Sequence, residues 1–373
     1  MTSLAPMLFS RLWAILKNFD WLLLGAVILL ICFGLAALYS IAVSADEPNF
    51  SSFNKQIIFA VVGVILLLAL SLIDYRIWIH FSVLLYIAAA VLLLAVLFFG
   101  TTFSGTTGWF SLLGFYFQPV ELAKLALIAF LAWFMSRRLT AAIEKKTFFL
   151  SGLLTGLLFL LVILQPDFGS GIILFMIWFA MMLFAGADRR YLATIILVAI
   201  VAFFISWFFL FADYQRDRIL TFFNPQADPY DRGYQVRQAV IAVGAGGLFG
   251  RGLGFGSQSQ LKFIPASQTD FIFAVIAEEL GFLGVGLVLL FFSVIFYRLI
   301  RAVRRCRDSF ATHFILGISV LFFIQVFINI GMNIGLVPVT GIPLPLVSYG
   351  GSFLLVSLVA LGLVESMIVR NRA

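Results

Sequence analysis

Ten apolar runs, each about the length a helix needs to cross a bilayer, leave this chain few ways to fold. They fall near 20–43, 56–73, 78–99, 118–136, 147–165, 169–186, 191–212, 270–297, 310–332 and 350–368. A hydrocarbon core of ~30 Å takes ~20 helical residues, and inside it every backbone amide must bond within the protein, so such runs become helices. With 63% hydrophobic and 11% charged residues, the chain has too little polar surface to coat a soluble globule. The expected fold class is an all-α integral membrane protein with about ten transmembrane helices. The first long run begins only after Arg11, Lys17 and Asp20, so no removable signal is expected.

Charge sets the expected orientation. With a cytoplasmic N-terminus, Arg76, Arg137, Arg138, Lys145, Lys146, Arg189, Arg190 and the cluster Arg298 to Arg307 lie inside. The other side receives Lys55 and the cations of one long loop, and long loops count weakly in the positive-inside rule. Both termini are then cytoplasmic. A topogenic arginine cluster also accounts for the net charge of +7 without a nucleic-acid partner. Cys32 lies in an apolar run and Cys306 in a basic loop, which suggests neither a disulfide nor a metal site. His80 and His313, at the edges of apolar runs, read as helix-end residues.

The long segment 213–269, between the seventh and eighth runs, faces outward in this scheme. A loop of that length is usually functional or disordered, and Phe222, Phe223, Tyr234, Phe249 and Phe255 argue against disorder. Residues 1–373 are thus expected to form one polytopic domain, with 213–269 capping an outer cavity by short helices on the membrane surface. Tyr234 to Val243, with Arg237 on its polar side, has the content of an interfacial helix.

Carboxylates at the head of the eighth run are the strongest functional signal. A charge at the bilayer centre costs about 2.5–3.5 kcal/mol on insertion scales, so Asp270, Glu278 and Glu279 must face protein, water or a ligand. On an ideal helix Glu278 lies about 80° around from Asp270 and ~12 Å deeper, while Glu279 projects opposite to it. Acids on several faces imply a span surrounded by protein or lining a polar cavity. A plain helix cap remains the alternative for Asp270. Glu121 and Lys124, three apart in the fourth run behind Pro119, are placed to pair, either as a structural ion pair or with Lys124 holding Asp270 ionised. Asp167, in Gln165-Pro166-Asp167, caps the sixth run or adds a second outer acid. The stretch Gly244 to Gly256 encloses Arg251 and precedes Gln260. Its backbone either cradles an anion or packs tightly. Before the tenth run, Pro343, Pro345, Ser348, Tyr349 and Gly350 form a helix-breaking loop, equally open to a structural or a substrate-contacting role.

Taken together these blocks resemble the SEDS family (shape, elongation, division and sporulation), most closely its RodA-like branch. The likeness rests on Gln118-Pro119 with Glu121 and Lys124, Gln165-Pro166-Asp167, Asp213-Tyr214-Gln215-Arg216 with Arg218, and Gly256 to Leu261. It also rests on Thr269-Asp270-Phe271 through Glu278-Glu279-Leu280-Gly281, and on Pro343 through Ser352. The resemblance implies a peptidoglycan glycosyltransferase that polymerises lipid II at the outer face of the bacterial plasma membrane during cell elongation. It implies a class B penicillin-binding protein as crosslinking partner and undecaprenyl pyrophosphate as leaving group. Asp270 would be the general base, supported by Lys124 and Glu121. Arg216, Arg218 and Arg251 would hold the pyrophosphate, with Asp167, Gln260 and Ser348 as further substrate contacts. A divalent cation, Mg or Mn, has room in that scheme, but the sequence names no ligands for one. One departure stands out: the family usually has basic residues before the tryptophan of the second outer loop, where this chain has Thr106, Thr107 and Gly108 before Trp109. Arg251 is the expected substitute. The rival reading is a flippase for the lipid-linked precursor, which also needs charges in a cavity, but no repeated halves are visible.

Overall fold

The computed structural model describes residues 17–43, 48–103, 105–112, 115–137, 143–209, 213–223 and 232–371. Every one of the ten apolar runs falls on a helix. They are α1 (Trp21–Val43), α2 (Ser51–Leu72), α3 (Arg76–Phe99), α4 (Pro119–Ser136), α5 (Lys145–Ile163), α6 (Phe168–Phe184) and α7 (Arg189–Phe209). Within 213–269 come α8 (Asp213–Phe223), α9 (Arg232–Ala245) and α10 (Ser257–Gln260), followed by α11 (Ile272–Arg305), α12 (Ser309–Asn333) and α13 (Gly351–Asn371). Among the described residues, nine of the run-bearing helices have the length and hydropathy of a membrane span, and α6 is shorter at 17 residues. Local chemistry sets several starts. Pro119 opens α4, where its missing N–H costs nothing. The Asp167 and Asp308 carboxylates accept from the amides of Ser170 at 3.0 Å and Ala311 at 2.9 Å, capping α6 and α12.

The centre of the bundle is built on α4 and α13, with 78% and 83% of their apolar stretches buried, against 6% for α7 at the rim. α13 runs along α2, α4 along α3 and α12, and α11 along α1 and α12.

Three features depart from the sequence expectation. First, a small antiparallel sheet of β1 (Thr101–Phe103), β2 (Thr106–Leu112) and β3 (Phe115–Phe117) lies between α3 and α4. Second, Asp270 is not on the eighth helix at all: α11 begins at Ile272, and its cap, Phe271, makes no side-chain cap bond. The ideal-helix angles from Asp270 to Glu278 and Glu279 therefore do not apply.

Third, that helix is broken. Gly281 has φ 63° and ψ −163°, a conformation essentially restricted to glycine. The glycine-rich loop mends the break. Arg251 and Gly252 amides donate to the Glu278 and Glu279 carbonyls at 3.0 and 2.9 Å, and the Phe282 and Leu283 amides donate to Gly247 and Leu248 carbonyls at 2.9 and 3.1 Å. Two carbonyls and two amides that a broken helix would orphan are thus paired, which is why irregular backbone is tolerated here. A Cβ at Gly250 would strike the Glu279 carbonyl oxygen. Of the two readings open for this loop, the amides of Arg251 and Gly252 serve packing.

α9 covers the expected interfacial stretch but is docked, not free. Ala239 and Ala242 are buried against Ile264, Phe271 and Ala274, while Arg237 is exposed.

Candidate active site

Asp270 sits in a tight turn whose main chain is held from several directions. Its carbonyl oxygen accepts from Asn329 Nδ2 and Asn333 Nδ2 of α12, both at 2.9 Å. Asn333 Oδ1 in turn accepts the Ala274 amide at 3.1 Å, tying the first turn of α11 to the same side chain. One residue earlier, the Thr269 carbonyl accepts from Ser348 Oγ at 2.5 Å, and the Gln268 carbonyl accepts from the Tyr349 amide at 2.9 Å. The far side of that loop is held by Gln56 of α2, which donates to the Ser348 carbonyl at 3.0 Å and accepts from the Gly350 amide at 3.2 Å. The clamps Asn329, Asn333, Gln56 and Ser348 are all buried, while Asp270 itself is partly exposed. A partly exposed side chain on a fixed backbone results.

The loop 334–350 links this turn to its neighbours. A Cβ at Gly341 would lie 3.8 Å from Asp270 Oδ2, and one at Gly169 would lie 2.7 Å from the Thr340 carbonyl. The capped start of α6, with Asp167, and the Asp270 turn thus lie against the adjacent residues Thr340 and Gly341. The other neighbour is α4, where the Gln118 amide donates to Ser352 Oγ at 3.4 Å. Three residues into α4, Lys124 Nζ and Glu121 Oε1 pair at 2.8 Å with side chains 2% and 6% exposed. The expected i,i+3 pair is therefore formed, and it is almost dry. Tyr349, beside the clamp, has its phenol raised above the usual range by burial, partly offset by a hydrogen bond with Ser52, and so stays protonated near neutral pH.

The remaining sequence candidates lie elsewhere. Gln260 Nε2 donates to Ser40 Oγ and Glu279 Oε1, both at 3.2 Å, joining α10 to α1 and α11. Glu278, fully buried, accepts from the amides of Gln258 at 2.7 Å and Ser259 at 2.9 Å, capping α10. Ser348 is 1% exposed and its hydroxyl is committed to Thr269 and to the Leu344 amide. Arg251 is exposed, its Nε donating to the Ala245 carbonyl at 3.3 Å. Arg216, on α8, reaches the Phe208 carbonyl at 3.4 Å. Arg218 is on the same helix, and its side chain lies outside the described residues. In β2, Gly108 is buried, and a Cβ added to it would lie 3.5 Å from Gln165 Oε1, so the neutral stretch before Trp109 adjoins the Gln-Pro-Asp turn. Asn329, Asn333 and Gln56 were not singled out from sequence. A signal existed: asparagines four apart in an apolar run share one helix face and need polar partners.

The chain as a whole is similar to known proteins. The FtsW/RodA/SpoVE cell cycle protein family model matches residues 20–373. Stage V sporulation protein E of Bacillus subtilis (strain 168) is 40% identical over 352 residues, covering 92% of this chain and 95% of that protein. Peptidoglycan glycosyltransferase MrdB of Escherichia coli (strain K12) is 36% identical over 327 residues, 87% of each chain. Among solved structures, a chain from work described as "Structural coordination of polymerization and crosslinking by a peptidoglycan synthase complex" superposes with TM-score 0.81 at 31% identity, covering 95% of this chain and 98% of that one. The rod shape determining protein RodA of Thermus thermophilus superposes with TM-score 0.70 at 29% identity, over 95% of this chain and 97% of its own. The chain belongs to the SEDS family, the FtsW/RodA/SpoVE cell cycle proteins.

Proposed function

We propose that this protein joins lipid II units into glycan strands at the outer face of the bacterial plasma membrane, with Asp270 as general base. Relatives named as peptidoglycan glycosyltransferases support the reaction class. The likeness to a chain of a peptidoglycan synthase complex supports work beside a crosslinking partner, a class B penicillin-binding protein. The observation that carries the assignment is the partly exposed Asp270 on a main chain fixed by Asn329 and Asn333. A base must be held in position yet reach its substrate.

In the reaction, the 4-hydroxyl of an incoming N-acetylglucosamine attacks the anomeric carbon of a lipid-linked muramyl sugar. The new C–O bond forms as the bond to undecaprenyl pyrophosphate breaks, and Asp270 takes the hydroxyl proton. A positioned base of this kind contributes about 10²–10⁴-fold. Lys124, with Glu121 fixing its ammonium, favours the ionised form of Asp270 through opposite charge. Arg216, Arg218 and Arg251 hold the departing pyrophosphate, with Asp167 as a further substrate contact. Among the described residues there is no cluster of three His, Cys, Asp or Glu side chains fit to hold a metal ion. Both termini lie in the cytoplasm, the arginine-rich end Arg298 to Arg307 with them.

The deciding experiment incubates purified protein with lipid II, with and without its penicillin-binding partner, and resolves the products on a gel. A glycan ladder is expected. Translocation of lipid II across a vesicle bilayer without any ladder would make the protein a flippase instead.

A further inference from the structure

At the end of the molecule that carries the arginine cluster, the start of α1 meets the ends of α11 and α13. Between them lies a narrow, shallow cleft lined by Asp20, Arg298, Arg301, Arg305, Ile368 and Asn371, among others. Three guanidinium groups against one carboxylate make its wall positive. Arg298 is already committed, its Nε and Nη2 holding Asp20 Oδ2 at 2.7 and 2.5 Å. Asp20 is 2% exposed and is itself fixed, its amide donating to Glu365 Oε1 at 2.6 Å. Arg301 and Arg305, four residues apart and so on one helix face, engage no side-chain hydrogen bond or ion pair among the described residues. Two uncompensated cations therefore stand on a rigid wall, above an apolar floor of Ala302 and Ile368.

The surroundings give the cleft its level in the membrane. Trp21 and Tyr297 are 57% and 58% exposed, and amphipathic rings of this kind settle at the headgroup boundary. Beside them Leu22 and Ile300 are also exposed, offering acyl chains an apolar surface. Basic pockets between helices on the cytoplasmic side suit anionic headgroups, and guanidinium groups can take phosphate oxygens through paired N–H donors.

We infer that this cleft binds a phosphate group, presented by an anionic phospholipid of the inner leaflet, through Arg301 and Arg305. The site depends on the proposed orientation only for the name of the leaflet. It does not depend on the glycosyltransferase assignment.

Arg304 and Arg307 provide the control, since both are exposed and neither lines the cleft. The full chain is purified as wild type, as Arg301→Gln/Arg305→Gln and as Arg304→Gln/Arg307→Gln. Retention of phosphatidylglycerol or phosphatidylcholine of matched acyl chains is then measured by native mass spectrometry, with and without millimolar inorganic phosphate. Wild type should prefer phosphatidylglycerol, and the cleft variant should lose about 30-fold in affinity while the control variant loses less than about threefold. Phosphatidylglycerol should stay bound in the presence of inorganic phosphate. Both variants should melt at the wild-type temperature in lipid-free detergent, because none of the four arginines is tied into the fold.

Equal losses in the two variants would replace a site by diffuse surface charge and overturn the inference. So would equal retention of the two lipids. Displacement by inorganic phosphate with no lipid preference would assign the arginines to a soluble phosphate and overturn the lipid. Because binding is read directly, its failure is distinguishable from failure of glycan synthesis.

Discussion

Asn333 donates to the carbonyl oxygen of Asp270 at 2.9 Å while its own carbonyl accepts the Ala274 amide at 3.1 Å. One buried side chain thus fixes both the turn that carries the acid and the helix that follows it. Asn333→Ala removes both bonds, leaving the Ala274 amide to the Phe271 carbonyl and the Asp270 carbonyl to Asn329, a loss of about 1–3 kcal/mol for two buried hydrogen bonds. Thermal melts should show that loss. Polymerisation of lipid II by the surviving folded protein should fall about tenfold or more, because the acid is no longer held in place. Full activity in a folded variant would separate the clamp from the chemistry.

The Glu121–Lys124 pair, almost wholly buried, makes a second prediction. Removing one partner strands a charge at a cost of about 3–5 kcal/mol, whereas replacing both by neutral groups is often nearly neutral. Lys124→Met should therefore melt much earlier, and Glu121→Gln/Lys124→Met should recover most of the stability. Activity should not recover with it. A double variant that regained both would make the pair purely structural.

The mended break in α11 is sensitive to a single methyl group. Gly250 has φ 78°, and its added Cβ would meet the Glu279 carbonyl oxygen, a backbone atom that cannot step aside. Gly250→Ala should cost more than about 2 kcal/mol and reduce the yield of monodisperse protein. Gly286→Ala, where nothing lies within 4 Å, should melt within about 1 kcal/mol of wild type.

Cys306 lies just past the end of α11, half-buried, with its thiol pushed up to about 11 by burial and by the nearby Asp308 carboxylate. The reactive thiolate is scarce below that pH. Alkylation of Cys306 by iodoacetamide, followed by peptide mass spectrometry, should be slow at pH 8 and should rise steeply only above about pH 10. Rapid labelling at pH 8 would contradict the raised value.

The helices were legible in the sequence because membrane burial demands long apolar runs, and all ten runs lie on helices. So was the Glu121–Lys124 pair, since spacing alone brings the two together. The start of α11 was not. Asp270 and Phe271 continue an apolar run, but the turn they occupy is set by contacts with Asn329, Asn333 and Ser348, distant in the chain. Nor was the break at Gly281, where a glycine in an apolar run reads as an ordinary helix residue until Gly247 to Gly252 are seen bonded across it. The strand Thr106–Leu112 was missed because seven residues beside a helix start give too short an alternation to stand out.

The central claim is that Asp270 accepts the proton of the attacking sugar hydroxyl. Asp270→Asn keeps the side chain's volume and removes its basicity, while the clamp on the main-chain carbonyl is untouched. Purified Asp270→Asn protein, given lipid II and its penicillin-binding partner, should melt like wild type and form glycan at least about 100-fold more slowly. Wild-type ladders from that variant would contradict the account.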